Sequence, residues 1–198
     1  MSVVVGIVAN GKVYIGSDSQ ITSGGTKKSH HHPNNRKIWH PDRRVELLMG
    51  SVGQYKGINV VKSINGIIDQ QTLLENSINY NYVYKHISRK IFEAMEEVKL
   101  IDSKDINPKM FNEFLFANNH ELYSIGSDGS VIQIEDFVAI GSGSFEATGS
   151  LLSTEAEDPI KRVTKAIQAA IDSDIYVGYP IVIMNTENED IEVVQEKT

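Results

Sequence analysis

Ser2 is the first residue of this chain whose type and position favour chemistry. It lies between Met1 and a run of mostly β-branched residues that begins at Val3. We expect Met1 to be removed because the residue after it is small, and Ser2 would then carry both a hydroxyl and a free α-amino group. The pKa of such an amine is about 7.7–8.0, so part of it is neutral at physiological pH and can accept a proton. A hydroxyl with a base on its own residue is a self-activating nucleophile.

The residues after Ser2 predict the element that would hold this nucleophile in place. Two apolar runs, 3–8 and 13–16, are joined by Asn10 and Gly11. Asn-Gly favours a tight hairpin turn because both residues tolerate a positive φ. A core strand that begins almost at the chain terminus would fix Ser2 in space, whereas most termini fray.

The remaining pattern predicts an α+β fold. Helical spacing of apolar residues over about 54–70 and 80–99 is followed by a meander of three strands over about 111–134. A small-residue helix and a second helix opened by Asp158 and Pro159 follow, and strands over 176–178, 180–184 and 191–194 complete the order. Two antiparallel sheets stacked face to face, each with a helix pair over its outer face, would bury every apolar surface. We therefore expect one domain, residues 1–198, folded as a four-layer αββα sandwich.

The composition narrows the class of protein. A hydrophobic content of 40% and a charged content of 23% over 198 residues are typical of a soluble globular chain. The net charge of −7 argues against general nucleic-acid binding, and no apolar run approaches the roughly 20 residues that span a bilayer. The absence of cysteine excludes disulfides, thiolate metal sites and a cysteine nucleophile. These features predict a cytoplasmic protein without a cofactor.

Three consecutive histidines, His30, His31 and His32, raise the alternative of a metal site. They lie in a polar, turn-rich segment over 21–35 that we interpret as an exposed loop with at most a short strand at its start. Neighbouring side chains of an extended segment point to opposite sides, and no carboxylate lies close by in the sequence. The pattern favours a solvated loop, and no metal is predicted.

Five motifs in order give the chain a family resemblance. They are the start with Ser2, Asn10–Gly11 and Gly16–Gln20; Arg36–Lys37–Ile38; Gly50–Ser51–Val52–Gly53; Ala139–Gly143; and Ala169–Ala170 followed by Asp174. In this order and spacing they resemble the proteasome β-subunit family, over nearly the whole chain. Within that family, the bacterial HslV-type peptidases have the most similar length and layout.

The resemblance implies a role for the residues around the nucleophile. Ser2 stands where the family has its N-terminal threonine nucleophile, Lys37 matches the active-site lysine, and Asp18 matches the carboxylate that pairs with that lysine. Serine lacks the methyl group that would restrict the rotamer of the hydroxyl, so we expect a less well-held nucleophile.

Three further residues are implied at the edges of the site. Gly50 matches the glycine whose backbone N–H forms the oxyanion hole, and Ser142 and Asp174 match the pair that holds the terminal amine. Asp172 is a competing candidate for the position of Asp174. Val177 departs from the pattern because many proteasome subunits have a further serine there.

The implied activity is that of a threonine/serine-type N-terminal-nucleophile (Ntn) endopeptidase. It would cleave peptides or unfolded proteins through an acyl-ester on Ser2, with no propeptide beyond Met1. The resemblance also implies a homo-oligomeric ring, hexameric or heptameric and possibly stacked, and a separate ATPase unfoldase, since this chain has no P-loop. Two alternatives stay open: a catalytically silent ring subunit or scaffold that retains Met1, and a small-molecule amidohydrolase on the same fold.

Overall fold

The predicted N-terminal hairpin lies at the centre of the first sheet. In the computed structural model, which describes residues 2–29, 32–102, 104 and 106–196, strands β1 (Val3–Ala9) and β2 (Lys12–Ser17) pair around Asn10 and Gly11, both at positive φ. Three more strands complete this antiparallel sheet in the order β12-β1-β2-β13-β14: β12 (Phe137–Gly141), β13 (Ile181–Asn185) and β14 (Glu192–Val194).

The second sheet is also antiparallel and five-stranded, in the order β11-β10-β9-β6-β5. Its strands are β5 (Ile38–Trp39), β6 (Leu47–Gly53), β9 (Asn112–Asn118), β10 (Glu121–Ile125) and β11 (Val131–Ile134). Two small hairpins lie outside the sheets: β3 (Gln20–Ser23) with β4 (Thr26–Ser29), and β7 (Ile101–Asp102) with β8 (Lys109–Met110).

The side chains of β1 point alternately to the two faces of the first sheet, and their contacts show how the layers are built. Val4 packs between the two sheets with residues of the second sheet such as Leu115, whereas its neighbours Val3 and Val5 face the helices over the first sheet. Successive side chains of a strand point to opposite faces, so a strand buried on both faces is apolar throughout. This accounts for the unbroken apolar run at the start of the chain.

The helices form the outer layers. Helices α5 (Ser144–Ser153) and α6 (Pro159–Ser173) cover the first sheet. The second sheet is covered by α1 (Tyr55–Lys62), α2 (Gln70–Glu75), α3 (Tyr80–Tyr82), a π-helical segment (Val83–Ser88) and α4 (Arg89–Glu97). The predicted four-layer αββα sandwich is confirmed, as is the start of α6, where the Asp158 side chain accepts from two backbone N–H groups.

Three local predictions need correction. The helix expected over 54–70 ends at Lys62, and the chain turns at Gly66, which has a φ of +60°. The segment after β2, expected to be a loop with at most a short strand at its start, has that strand, β3, and also β4, and the two pair around Gly24 and Gly25, both at positive φ. Residues 176–178, predicted as a strand, form the turn that follows α6. No helix in the described part of the chain is long and apolar enough to cross a membrane.

Candidate active site

Ser2, Asp18 and Lys37 meet at one end of the sandwich. Ser2 immediately precedes β1 and Asp18 follows β2, and the pairing of these strands brings both to the same edge. Lys37 immediately precedes β5 of the facing sheet. Its Nζ donates to Ser2 Oγ at 2.6 Å and to Asp18 Oδ1 at 2.7 Å. The sequence analysis selected all three residues, and the structure brings them together.

Backbone groups hold the Asp18 carboxylate in place. Oδ1 accepts from Val3 N at 3.2 Å, and Oδ2 accepts from Gln20 N at 3.1 Å and Gly178 N at 3.2 Å. The Asp18 side chain is fully buried, so these donors replace the water that a carboxylate would otherwise bind. Because the donors come from three segments, they fix the direction in which the carboxylate faces Lys37.

The Lys37 ammonium uses all three of its hydrogens. Besides Ser2 Oγ and Asp18 Oδ1, it donates to Gln20 O at 2.7 Å. Burial lowers the pKa of Lys37, while the charge and the hydrogen bond of Asp18 oppose that shift. A buried cation needs such a counter-charge, because an unpaired one would lose its proton. The arrangement therefore presents a supported positive charge directly to the Ser2 hydroxyl.

Ser142 lies on the other side of Ser2. Strand β12 pairs with β1 in a register that places Gly141 opposite Val3. Ser142 Oγ accepts from Ser2 N at 3.2 Å and donates to Ser2 O at 3.4 Å. Gly141 has a φ of +98°, and a Cβ there would lie 2.2 Å from Ser2 O, so only glycine lets β12 end this close to Ser2. The predicted contact between Ser142 and the backbone nitrogen of Ser2 is present.

Asp174 is placed in the turn after α6. Its carboxylate accepts from Tyr176 N at 2.9 Å, and its own N–H donates to Ala170 O at 2.8 Å. These contacts are those of a helix-terminal turn residue. What this segment contributes to the cluster is the N–H of Gly178, which donates to Asp18. Sequence reasoning missed Gly178, because a backbone donor leaves no signature in residue type.

Gly50 is buried between the sheets, in the middle of β6. A Cβ on Gly50 would lie 2.7 Å from Val4 Cγ1, so glycine here lets the two sheets approach each other. N–H groups alternate in direction along a strand. Ser51 N donates to Lys37 O at 3.0 Å, on the β5 side, so the Gly50 N–H points to the opposite side, toward β9. The structure does not bring Gly50 to Ser2.

Gly53, three residues further along, is the glycine of β6 that lines the cavities beside Ser2. By the same alternation, the Gly53 N–H points to the same side of β6 as the Ser51 N–H, which is the side of β5. At Gly53 the pairing of β5 with β6 has already ended, so β5 does not bind this N–H. Gly53 is exposed, has a φ of +109°, and lines both cavities that Ser2 adjoins. The family resemblance pointed to Gly50, and it could not choose between the two glycines because the register of β6 against β5 is not readable from the residues alone.

Two cavities flank Ser2. The first, of about 350 Å³, lies on the Lys37 side and is also lined by residues of β3 and of the start of α1, including Ile21 and Tyr55. The second, of about 250 Å³, lies on the Ser142 side and is also lined by Phe111 and Asn112. The chain around Ser2 therefore offers space on both sides of one hydroxyl, as cleavage of an extended substrate requires.

Of the three consecutive histidines, the structure describes His32. His30 and His31 lie outside the described residues. His32 Nδ1 accepts from Asn34 N at 3.3 Å and caps the 3₁₀ turn Pro33–Asn35. Among the residues that the structure describes, no group of three or more His, Cys, Asp or Glu side chains is placed to hold a metal ion.

The four-layer architecture, with Ser2, Asp18 and Lys37 together at one end of it, defines a class: the proteasome- and HslV-type fold of the Ntn hydrolases. Comparison with solved structures confirms this fold. The Thiobacillus denitrificans protein BPH, in complex with epoxomicin, superposes with a TM-score of 0.70 at 16% identity, covering 98% of this chain and 100% of BPH. HslV from Trypanosoma brucei gives a TM-score of 0.59 at 20% identity, covering 98% and 99%.

Two further comparisons support the resemblance stated from the motifs. Anbu, an ancestral β-subunit from Yersinia bercovieri, gives a TM-score of 0.70 at 14% identity, covering 98% of this chain and 87% of Anbu. In sequence, the chain is 24% identical over 217 residues to a proteasome subunit beta of Nanoarchaeum equitans, covering 97% of this chain and 96% of that protein. No protein-family model matches the chain. The similarity to proteasome β-subunits is thus confirmed by sequence and by fold.

Proposed function

We propose that this protein is an N-terminal-nucleophile endopeptidase in which Ser2, freed by removal of Met1, forms an acyl-ester with the substrate. The observation that carries the proposal is the contact of one buried ammonium, Lys37 Nζ, with both Ser2 Oγ and the Asp18 carboxylate. An ion pair that only stabilises the fold does not need a hydroxyl group bound to its ammonium. A serine that only packs in the fold does not need a buried cation beside its hydroxyl.

The first chemical step is attack of Ser2 Oγ on a substrate carbonyl carbon. The free α-amino group of Ser2, directly or through a water, takes the hydroxyl proton. The positive charge of Lys37 stabilises the forming alkoxide; two unit charges 4 Å apart attract by about 4 kcal/mol at an effective dielectric constant near 20. Asp18 keeps the ammonium charged and aimed at the oxygen.

The tetrahedral oxyanion needs a hydrogen-bond donor, and we assign that role to the Gly53 N–H in place of Gly50. Gly53 lies where the two cavities beside Ser2 meet, and its N–H points to the Lys37 side of β6. Loss of one such donor typically costs about 2.7–4 kcal/mol of transition-state stabilisation.

Collapse of the intermediate breaks the peptide C–N bond and passes the proton from the Ser2 amine to the leaving nitrogen. Ser142 Oγ lies 3.2 Å from Ser2 N and holds it in position for this transfer. The leaving group therefore occupies the cavity on the Ser142 side, and the acyl part occupies the cavity on the Lys37 side. Water then hydrolyses the ester and frees Ser2.

The assembly is proposed from the relatives. Proteasome and HslV proteins resemble the chain over nearly its full length, which supports a homo-oligomeric ring that encloses the Ser2 sites in the cytoplasm. Any energy-dependent unfolding of substrates would belong to a separate ATPase, since this sequence has no P-loop. Light scattering on the purified chain measures the assembly directly, and a monomer would contradict the ring.

Labelling with epoxomicin tests the proposal, because the compound was found bound to the BPH structure that shares this fold. We expect intact mass to show loss of Met1 and one adduct per chain, mapped to Ser2. Ser2→Ala should abolish the adduct while the protein stays folded. A chain that retains Met1 and takes no label would overturn the peptidase and favour a silent ring subunit. Turnover of small amides but not of peptides by an unassembled chain would favour an amidohydrolase.

A further inference from the structure

Asn112, the first residue of β9, is a buried polar side chain that the chemistry above does not use. It is 1% exposed, and its amide reaches across to the end of β6. Nδ2 donates to Val52 O at 2.8 Å and to Gln54 O at 3.0 Å. The two carbonyls that flank Gly53 are therefore held by one side chain.

The contact with Val52 O matters because Val52 O and the Gly53 N–H are the two ends of one peptide group. A hydrogen bond to the carbonyl fixes the plane of that peptide and polarises it, which makes its N–H a stronger donor. We propose that Asn112 is a positioning residue that aims the Gly53 N–H at the oxyanion. This inference rests on the proposed function, in which Gly53 supplies the oxyanion donor.

The position of Gly53 explains why the peptide needs such support. The pair Gly53 and Asn112 is the last in the β6–β9 ladder, so regular pairing ends there. Gly53 is exposed, and a Cβ on it would lie 2.2 Å from Phe111 O, which restricts the site to the most flexible residue type. Val52 is still paired with Glu113, and Val52 O also accepts from Ser51 Oγ at 3.3 Å, but beyond this peptide lie a glycine hinge and the end of the ladder, so the Asn112 amide is the shortest contact that holds it.

The orientation of the Asn112 amide follows from its surroundings. Its NH₂ group must face the carbonyls of Val52 and Gln54, because its oxygen would be repelled by them. Oδ1 consequently faces α1, where it has no hydrogen-bond partner among the described residues. A Cβ on Gly57 would lie 2.2 Å from this oxygen, so the helix has a glycine where the amide needs room. Leaving the buried Oδ1 unpaired costs stability, and leucine would fill the space without that unpaired oxygen, so the asparagine is accounted for by the two carbonyls that its NH₂ group holds. Packing alone does not explain an asparagine here.

The kinetic test compares Asn112→Leu and Asn112→Ala with Asn118→Leu in the full-length protein. Asn118 is a matched control because it is a buried asparagine at the far end of the same strand. We expect the Asn112 variants to lower kcat about tenfold to a hundredfold and to leave KM within about twofold, since small misplacements of catalytic groups have effects of this size. Binding of a peptide aldehyde, whose hemiacetal oxygen needs the same donor, should weaken by the same factor. A kcat equal to that of the control would overturn the proposal.

A second measurement needs no turnover. With ¹⁵N-glycine labelling, the Gly53 amide proton resonance should shift upfield in Asn112→Leu and stay in place in Asn118→Leu, because the peptide loses its polarising donor. An unchanged resonance would overturn the positioning role even if activity fell. Wild-type protein that hydrolyses no peptide would instead refute the proposed function, and the resonance would still decide whether Asn112 holds the peptide.

Discussion

Lys37 is buried and Lys62 is half-buried, and both lie near β5. The two lysines differ in the groups that contact the ammonium. Lys37 Nζ meets the Asp18 carboxylate at 2.7 Å. Lys62, at the end of α1, donates to Arg36 O at 2.5 Å and lies 5.1 Å from the centre of the Trp39 ring. Both ammonium groups bind backbone carbonyls, so the carboxylate is the difference that matters.

The partner decides what each lysine can do. Burial lowers the pKa of both, but at Lys37 the Asp18 carboxylate opposes the shift, whereas at Lys62 the positive charge of Arg36 adds to it and brings the pKa to about 8. A lysine whose charge is supported can stabilise an alkoxide, and a lysine beside a like charge releases its proton more easily. We therefore expect chemistry at Lys37 and a structural role at Lys62.

The largest expected difference is in activity. Lys37→Ala should lower kcat/KM for a peptide substrate at least about 10³-fold, because the hydroxyl loses the cation that stabilises its alkoxide. Lys62→Ala should leave kcat/KM within about threefold, although it removes a lysine of similar type. Steady-state kinetics on both purified variants measures the contrast. Equal losses would show that the carboxylate partner is not what separates the two lysines.

The next largest effect is on stability and concerns Asp18. Asp18→Asn removes the charge that supports Lys37 and leaves a buried cation unpaired, which typically costs about 3–5 kcal/mol. Urea unfolding should show this loss. Asp174→Asn is the matched control, because that carboxylate serves the turn after α6, and its cost should stay below about 1 kcal/mol. A loss of activity in Asp174→Asn with unchanged stability would instead support the role that the family resemblance implies for it.

A pH dependence should identify Lys62 as the lysine that gives up its proton. Burial and the charge of Arg36 lower its pKa from the ordinary lysine value of 10.5 to about 8 in the folded chain. Between these values the unfolded chain holds a proton that the folded chain has released, so stability rises with pH in this window. The free energy of unfolding of the wild type should therefore increase from pH 8 to pH 10 relative to Lys62→Met. Lys56→Met, on the exposed side of the same helix, serves as the control. Parallel curves for the wild type and Lys62→Met would contradict the assignment.

The sequence predicted the fold well because its signals are local. An apolar run that begins at Val3, an Asn-Gly turn and an Asp-Pro helix start each specify a short piece of chain, and their order leaves one arrangement that buries every face. Ser2 was found from its place before the first apolar run, whereas Asp18 and Lys37 were found through the family resemblance, which matched them to residues at the end of the second strand and before β5.

The rest of the site depended on register and on backbone groups. Gly50 and Gly53 are indistinguishable by type, and only the pairing of β6 with β5 and β9 shows which N–H points to the Lys37 side of β6. The donors to Asp18 from Val3 and Gly178, and the Asn112 amide behind Gly53, arise from long-range packing. No spacing rule along a single chain encodes such contacts.

The smallest expected effect extends the comparison to a buried hydroxyl that makes no well-formed hydrogen bond within the described residues. Tyr123, on β10, is fully buried beneath the helices of the second sheet, and its hydroxyl has no hydrogen-bond partner among the described residues. Burial, and then the negative charge of Glu121, raise the pKa of its phenol. Because an unpaired buried hydroxyl has lost its water without compensation, Tyr123→Phe should raise the free energy of unfolding by up to about 1 kcal/mol. Urea unfolding measures this gain, with Tyr80→Phe as the control that removes a hydroxyl bonded to Val131 O. Destabilisation by Tyr123→Phe would mean that the hydroxyl makes a stabilising interaction. The conclusion that its partner decides how much a buried polar group contributes to stability would then rest on Lys37 and Lys62 alone.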